Sequence, residues 1–517
     1  MWQYSNFSEV RSDVKAGFPF KNPRPGQLET ISEIIHAIDL GFKYIVLEAG
    51  TGTGKSAVAA TLCSLYDSSY ILTVTKQLQD QYLEDFPDFK LVKGRKNFLC
   101  RHYLNQSCEE GKCILEDYSC QKEKCDYYIQ KNLALNAKTV VSNYHYMFLE
   151  LNYVEDFKKR ELLICDEAHN LEGTLMSQLT LEFSVEDLEN YLDFEISDVI
   201  LYELENGDYD VWIQFIDEIR QRYIRELEKI NDLKKPHLAE KASFIKHEIS
   251  DCNRFVENIS YDPYSWVFNY NCDYETIEFK PLKIDSYAEN TLFRYGDVCI
   301  FMSASILDYK FFSKCLGIDE SEIYAIRKAS PFNLDNNPIK TFEGFNLSHK
   351  TIKRDAPKTV DVIKSILDRH KDEKGIIHTV SGTCRDYLID NLESDRLIGH
   401  DVSNRAEQLE KFKKSEDPLV LISPSMNEGV DLPGDLCRFQ IIYKIPYPDL
   451  ADKQIRLRAN ADEDWYDYKT ALSLIQTYGR GMRFKDDYCT TYCIDSRIPE
   501  FISSNSFLPD WFKNLIV

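Results

Sequence analysis

The sequence predicts an α/β fold made of two parallel-sheet units, the first interrupted twice by inserted segments. Three observations predict it. Strand-like apolar runs alternate with helical patterns in separate stretches of the chain, as layered α/β units require. At 517 residues the chain is longer than one core fills. Two stretches, 96–137 and 175–290, break the alternation. The first holds five cysteines between Cys100 and Cys125. The second is charged and helical (VEDLENYL, FIDEIRQRYIRELEKI), then aromatic and irregular (YDPYSWVFNYNCDYETIEF).

The candidate strands of the first unit are 44–48, 70–75, 139–143, 162–165 and 298–303. Those of the second are 375–380, 419–423, 439–445 and 488–495. The first unit therefore comprises 1–95, 138–174 and 291–335, and the second 336–517. The Pro- and Asn-rich PFNLDNNP at 331–338 reads as the linker.

Hydrophobic residues make up 43% and charged residues 28%, an ordinary globular balance. No stretch approaches the roughly 18 apolar residues of a membrane span. The N-terminal MWQYSNFSEVRSDVK lacks a basic-then-apolar signal pattern. The expectation is a cytoplasmic protein, nuclear if eukaryotic, with no membrane partner. Cysteines such as Cys165, Cys299 and Cys489 sit in apolar runs and read as buried thiols rather than disulfide partners. The net charge of −23 counts against tight non-specific duplex binding. Binding depends on local potential, however, and 181–219 gathers many acids with no Lys or Arg, which leaves room for a basic groove elsewhere.

The strongest local signal is KYIVLEAGTGTGKS at 43–56, an apolar strand running into a Gly-rich turn and then a helix. A phosphate-binding loop requires this context. Gly50, Gly52 and Gly54, with Thr51 and Thr53 between them, let backbone N–H groups curl toward phosphate oxygens. The helix presents its positive end to the anion. Lys55 would reach the β- and γ-phosphates of ATP and Ser56 would ligate Mg²⁺. Ala49 stands where the usual pattern has its first glycine.

ELLICDEAHN at 161–170 supplies the partner element about 110 residues later: a buried strand with two carboxylates at its C-terminal end. Asp166 would hold Mg²⁺ through water, and Glu167 would orient and deprotonate the attacking water. Taken singly, His169 reads equally well as a satisfied surface histidine.

QTYGRGMR at 476–483 places Gln476, Arg480 and Arg483 at i, i+4 and i+7, one face of a helix. Such a charge run is usually a solvated face, but Gly479 and Gly481 do not suit one. The functional reading is a pair of arginine fingers meeting the γ-phosphate across a cleft. SMNEGVDLPGD at 425–435 would set Glu428, Gly429 and Asp431 at a strand's C-terminal edge, where α/β sheets place ligands. The short spacing of the cysteine cluster suits tetrahedral zinc, with His102 as a further candidate ligand.

In this order the motifs resemble the superfamily 2 helicases, specifically the iron–sulfur XPD/DinG family, over nearly the whole chain. Arg24-Pro25-Gly26-Gln27 resembles the adenine-side Gln motif, and TVTKQLQDQY at 73–82 the first strand-contacting motif. Met302-Ser303-Ala304-Ser305 resembles the Ser-Ala-Thr coupling motif, with Ser305 replacing Thr. SPF at 330–332 follows in place. The resemblance implies two RecA-like motor domains, a single strand of DNA threaded past a cluster wedge (96–137) and an arch (175–290), and 5′→3′ unwinding of forked DNA.

It also implies a 4Fe–4S cluster on four cysteines. RKNFLC at 95–100 and Cys125-Asp126-Tyr127-Tyr128, just before TVVSNYHYM, place Cys100 and Cys125 as the outer ligands. Cys113 and Cys120 are taken as the inner pair, because DinG-like members group their last three ligands closely, and Cys108 is left over. A DNA translocase that does not separate strands and an RNA helicase are the competing readings. The sequence names no protein partner.

Overall fold

The computed structural model describes residues 2, 4–50, 52–116, 120, 125–233, 235–272, 274–329, 336–401, 403–425, 432–481 and 487–517. The first sheet contains β1 (Tyr44–Ala49), β2 (Ser69–Thr73), β3 (Lys90–Leu91), β4 (Thr139–Asn143), β5 (Arg160–Asp166), β9 (Gly296–Ser303) and β10 (Ile323–Lys328), all parallel. Its spatial order is β10-β1-β9-β5-β2-β4-β3. Both faces are covered, as a parallel sheet requires. Along β1, Tyr44 and Val46 join one core cluster while Ile45, Leu47 and Ala49 join the other. Leu163 and Cys165 of β5 divide from Leu162 and Ile164 in the same way.

The second sheet runs β11-β16-β15-β12-β14-β13, from β11 (Ile339–Thr341), β12 (Gly375–His378), β13 (Leu397–Gly399), β14 (Val420–Ser423), β15 (Phe439–Ile442) and β16 (Thr490–Cys493), again all parallel. Every expected strand is present within a few residues. The additional strands β3, β10, β11 and β13 are short or lie at sheet edges, where the apolar signal is weakest. The expected linker falls mostly outside the described residues.

The second insertion is mainly helical: Val185–Leu192, Asp198–Asn206, Tyr209–Leu233 and Ala239–Tyr261. One expectation needs correcting. The segment read as irregular forms an antiparallel sheet, β6-β8-β7, from β6 (Leu181–Ser184), β7 (Trp266–Asn271) and β8 (Thr276–Pro281). Trp266, Phe268 and Phe279 of this segment are core, whereas Tyr261, Tyr264 and Tyr274 are exposed. Phe279 is ringed by Trp212, Phe215, Phe255 and Phe268, with centroids 5.4–6.3 Å away. Pro263, Pro281 and the Asn271-Cys272 turn punctuate the sequence and hide the hairpin.

The second unit seats on both the first sheet and the insertion. Lys280 of β8 pairs with Asp452 at 2.6 Å. Asn269 accepts from the Lys453 backbone N–H, and Gln454 donates to the Leu282 carbonyl. Glu172, on the helix Leu171–Leu179 that follows β5, takes Arg458 at 2.6 Å, Lys469 at 2.9 Å and the Trp465 indole N–H at 3.1 Å. Burial raises the Glu172 carboxyl, but Lys469 and Arg458 outweigh that and hold it below its ordinary value.

Candidate functional site

The Gly-rich turn joins β1 to the helix Lys55–Leu65, and Gly52 and Gly54 adopt φ of +80° and +82°. A side chain is strained at those angles, so glycine is required. At Gly54 it is required twice over, because a Cβ would lie 2.1 Å from the Gln27 amide nitrogen. Gln27 is built into the loop. Its Oε1 accepts from the Arg24 backbone N–H at 2.6 Å, and its Nε2 donates to the carbonyls of Thr53 (3.0 Å) and Gly54 (3.1 Å). Arg24 also donates to the Gly52 carbonyl. Thr53 bonds back to Gly50 at 2.7 Å, and the Lys55 ammonium reaches the Ala49 carbonyl at 3.3 Å. Thr51 lies outside the described residues.

Asp166 ends β5, two strands from β1. It is buried, and both its oxygens are engaged: Oδ1 by the Glu167 N–H at 3.0 Å, Oδ2 by the Tyr82 hydroxyl at 2.9 Å. Burial, reinforced by the charge of Glu167, pushes its carboxyl up to about 6, and Lys55 pulls the other way. A divalent cation would replace the solvation this carboxylate lacks. Glu167 has φ of +52°, which turns its side chain out of the strand. His169 lies 3.4 Å from Glu167 and 2.8 Å from the Ser303 hydroxyl. It is buried and engaged, not a surface histidine.

From Ser303 the contacts continue into the second unit. Ser303 Oγ donates to the Ser305 carbonyl at 3.1 Å and accepts from the Ser305 N–H at 3.2 Å. The Gln476 amide donates to the Ser305 hydroxyl, and Arg480 Nη2 donates to Gln476 Oε1 at 3.1 Å. Polar contacts therefore run from Glu167 through His169, Ser303, Ser305 and Gln476 to Arg480. The helix carrying Gln476 ends at Tyr478, and Arg480 sits on a 3₁₀ turn, Gly479–Gly481. The expected continuous helical face is thus corrected: the glycines break the α-helix. The turn keeps Arg480 over Gln476, with Nε donating to the Gln476 carbonyl at 3.1 Å. Burial and the neighbouring Arg480 charge push His378 down to about 3, so its ring is neutral. Arg483, Glu428, Gly429, Asp431 and SPF at 330–332 lie outside the described residues.

Sequence reasoning passed over Tyr82, Glu172 and Arg458. Tyr82 only closes a motif in the sequence, and no local pattern marks Glu172 and Arg458, which pair across nearly 300 positions.

All five cysteines of the cluster line one small cavity, together with His102, Arg95, Tyr127 and Tyr128. Cys108, left over by the sequence reading, is among them, its sulfur 3.6 Å from that of Cys125. The thiols of Cys108 and Cys120 are pushed up to about 12 by burial and by neighbouring sulfurs, so a bound cation would be needed to hold them as thiolates. Gly111 closes one side: a Cβ there would sit 3.1 Å from the Cys100 sulfur. Among the described residues no three of His, Cys, Asp and Glu converge as a group that would seat a metal ion. The donor set around this space is five thiols with the His102 imidazole beside them, and a thiol-rich set of this kind fits an iron–sulfur group.

Comparisons with known proteins agree with this geometry. The model of the Helicase C-terminal domain family matches residues 369–514, and that of the type III restriction enzyme res subunit matches 20–195. A probable ATP-dependent helicase of Methanocaldococcus jannaschii is 21% identical, the alignment covering 96% of this chain and 94% of that protein. The ATP-dependent DNA helicase YoaA of Escherichia coli is 22% identical over 93% and 92%. The ATP-dependent helicase DinG of Mycobacterium tuberculosis is 33% identical over 16% of each chain. Among solved structures, an XPD helicase superposes with a TM-score of 0.69 at 16% identity, covering 92% of this chain and 96% of that one. Xpd4 of S. tokodaii gives 0.63 at 17%, covering 95% and 99%. The Gly-rich turn, the Asp166–Glu167 strand end, the contact to Gln476 and Arg480, and these likenesses point the same way: the chain carries a Helicase C-terminal domain at 369–514 and is similar to ATP-dependent helicases of the XPD/DinG type.

Proposed function

We propose that the chain hydrolyses ATP between its two sheet units, steps 5′→3′ along single-stranded DNA and separates the duplex ahead of it. The observation that carries this reading is the line of contacts from Glu167 to Arg480. Glu167 would activate the attacking water beside a Mg²⁺ held through Asp166 and Ser56. Lys55 and the N–H groups of the loop would grip the phosphates, and Gln27 would brace the loop at its adenine side. Arg480, with Arg483, would meet the γ-phosphate when the units close. Charge building up there pulls on Gln476 and Ser305, so chemistry and domain motion are coupled. DNA as substrate is supported by the likeness to YoaA, and polarity by the family resemblance.

Cys100, Cys113, Cys120 and Cys125 would hold a 4Fe–4S cluster. Bound there, the cluster would supply cross-links that fix a loop-rich module too small to bury its own core. The phenol rings of Tyr127 and Tyr128 and the Arg95 guanidinium, which stacks on both rings, wall the site from one side.

The test compares the wild-type chain with Lys55→Ala on a 5′-tailed duplex and on its 3′-tailed counterpart. The expected result is ATP-dependent separation of the 5′-tailed substrate by the wild type alone, with single-strand binding retained by the variant. Turnover by Lys55→Ala at the wild-type rate would overturn the assigned site. Hydrolysis without strand separation would identify a translocase, and RNA outcompeting DNA would identify an RNA helicase.

A further inference from the structure

The helix Lys76–Asp85 follows β2 and is capped by Thr75, whose hydroxyl accepts from the Leu78 N–H. Its two faces have different partners. On the outer face, Lys76 donates to Asn97 at 2.9 Å and Asp80 pairs with Lys93 at 2.8 Å. Both partners lie in 90–108, the stretch leading into the cysteine module, which carries five cations and no carboxylate in a chain of net charge −23. Nucleic-acid phosphates are drawn to such a stretch. On the inner face, the Tyr82 hydroxyl donates to Asp166 Oδ2 at 2.9 Å. Among the described residues the other oxygen of Asp166 is held only by the N–H of the next residue in the chain, so Tyr82 ties this carboxylate to a separate element. Tyr82 is 1% exposed, and its ring is fixed against Phe86, centroids 6.2 Å apart.

Gln79, one turn before Tyr82 on the same inner face, is fully buried. Among the described residues neither of its amide atoms has a hydrogen-bond partner. A buried amide without a partner bears its whole desolvation cost, so the helix gains if a shift brings Gln79 to one. That marks the helix as an element able to occupy a second position.

We propose that Tyr82 is a positioning residue through which nucleic acid at 90–108 controls the Mg²⁺ carboxylate. This rests on the proposed function. A strand held by the basic stretch shifts the helix through Lys76 and Asp80, and the Tyr82 hydroxyl carries the shift to Asp166. DNA stimulation of ATP hydrolysis passes along this helix.

The experiment measures ATP turnover with and without single-stranded DNA, at varied Mg²⁺, for the wild type, Tyr82→Phe and Asp80→Asn. Tyr82→Phe keeps the ring and deletes one hydroxyl. It is expected to lower stimulation about tenfold, the size of a hydrogen bond to a charged group, and to raise the half-saturating Mg²⁺, with DNA affinity unchanged by anisotropy. Asp80→Asn weakens one of the two outer ties, the ion pair with Lys93, on an exposed site that does not threaten folding. It is expected to lower stimulation, with a smaller effect on Mg²⁺ dependence than Tyr82→Phe. Full stimulation in either folded variant overturns the proposal. A wild type that single-stranded DNA does not stimulate at all would instead remove the function on which it rests.

Discussion

Gln476 donates its side-chain amide to the hydroxyl of Ser305, so the helix that leads into the Arg480 turn is tied to the strand end beside Asp166. Ser305→Ala removes the acceptor and leaves the Gln476 amide to find another. A net hydrogen bond contributes about 0.5–1.5 kcal/mol, which corresponds to a loss of up to about tenfold in turnover. The expected result is a lower kcat for DNA-stimulated hydrolysis at unchanged ATP affinity, read by stopped-flow binding of a fluorescent nucleotide. Ser305→Thr, which keeps the hydroxyl, is expected to restore turnover. A loss confined to KM would mean that the contact serves binding alone.

The pairing of Glu172 with Arg458 is a buried ionic tie between the two sheet units. Their side chains are 8% and 4% exposed, so neither charge has water to fall back on. Glu172→Ala strands the Arg458 guanidinium, and removing one partner of a buried pair costs about 3–5 kcal/mol. Thermal melting should show the loss, and limited proteolysis should release the second unit earlier than in the wild type. Glu172→Gln keeps acceptors for Trp465 and should fall between the two. A melting curve for Glu172→Ala that overlays the wild type would show that the units are held elsewhere.

What the sequence disclosed, and what it did not, divides by the range of the interaction. The Gly-rich turn was legible because strand, glycines, lysine and helix are contiguous, and the placement of Asp166 because an apolar run of four residues must be buried. The role of His169 was not, since its partner Ser303 is 134 positions away and only the pairing of β5 with β9 brings them together. The hairpin of β7 and β8 was hidden because its aromatic residues alternate imperfectly and prolines flank it. The place of Cys108 was likewise invisible. Spacing counts residues, whereas the turn between Cys100 and Cys108, pinned by the Cys100 N–H on the Gln106 carbonyl at 2.8 Å and the Cys108 N–H on the Phe98 carbonyl at 2.7 Å, brings both sulfurs to one cavity.

The insertion should be more stable at mildly acidic than at alkaline pH. Burial pushes the Glu248 carboxyl up to about 8, with Asp251, Asp187 and Glu182 adding to the shift and Arg254 opposing it. A carboxyl raised above its unfolded value binds its proton more tightly in the folded chain. Its stabilisation is therefore complete below pH 4.5, the unfolded value, and is lost as pH rises through about 8. Hydrogen exchange in the helix Ala239–Tyr261 should quicken between pH 6 and pH 8.5 beyond its intrinsic pH dependence. Glu248→Gln should flatten the response. A helix equally protected at both pH values, after that correction, would place the protonated carboxyl elsewhere.

Five sulfurs around one cavity allow five ways of choosing four, and substitution separates them. Cys125 is 3.6 Å from Cys108, so these two compete for the same side of the space. With Cys100, Cys113, Cys120 and Cys125 as the ligand set, Cys108→Ser should keep its iron, its acid-labile sulfide and its visible absorbance after anaerobic purification. Each of the other four serine variants should lose all three. Loss of iron in Cys108→Ser with retention in Cys113→Ser would exchange those two residues and leave the cluster in place. Stoichiometric zinc in a colourless wild-type chain would replace the cluster with a tetrahedral ion and remove the iron–sulfur assignment. The serine variants that lose the group should also melt earlier and lose duplex separation. Their basal hydrolysis should persist, because Lys55, Asp166 and Glu167 lie outside the module the cysteines hold.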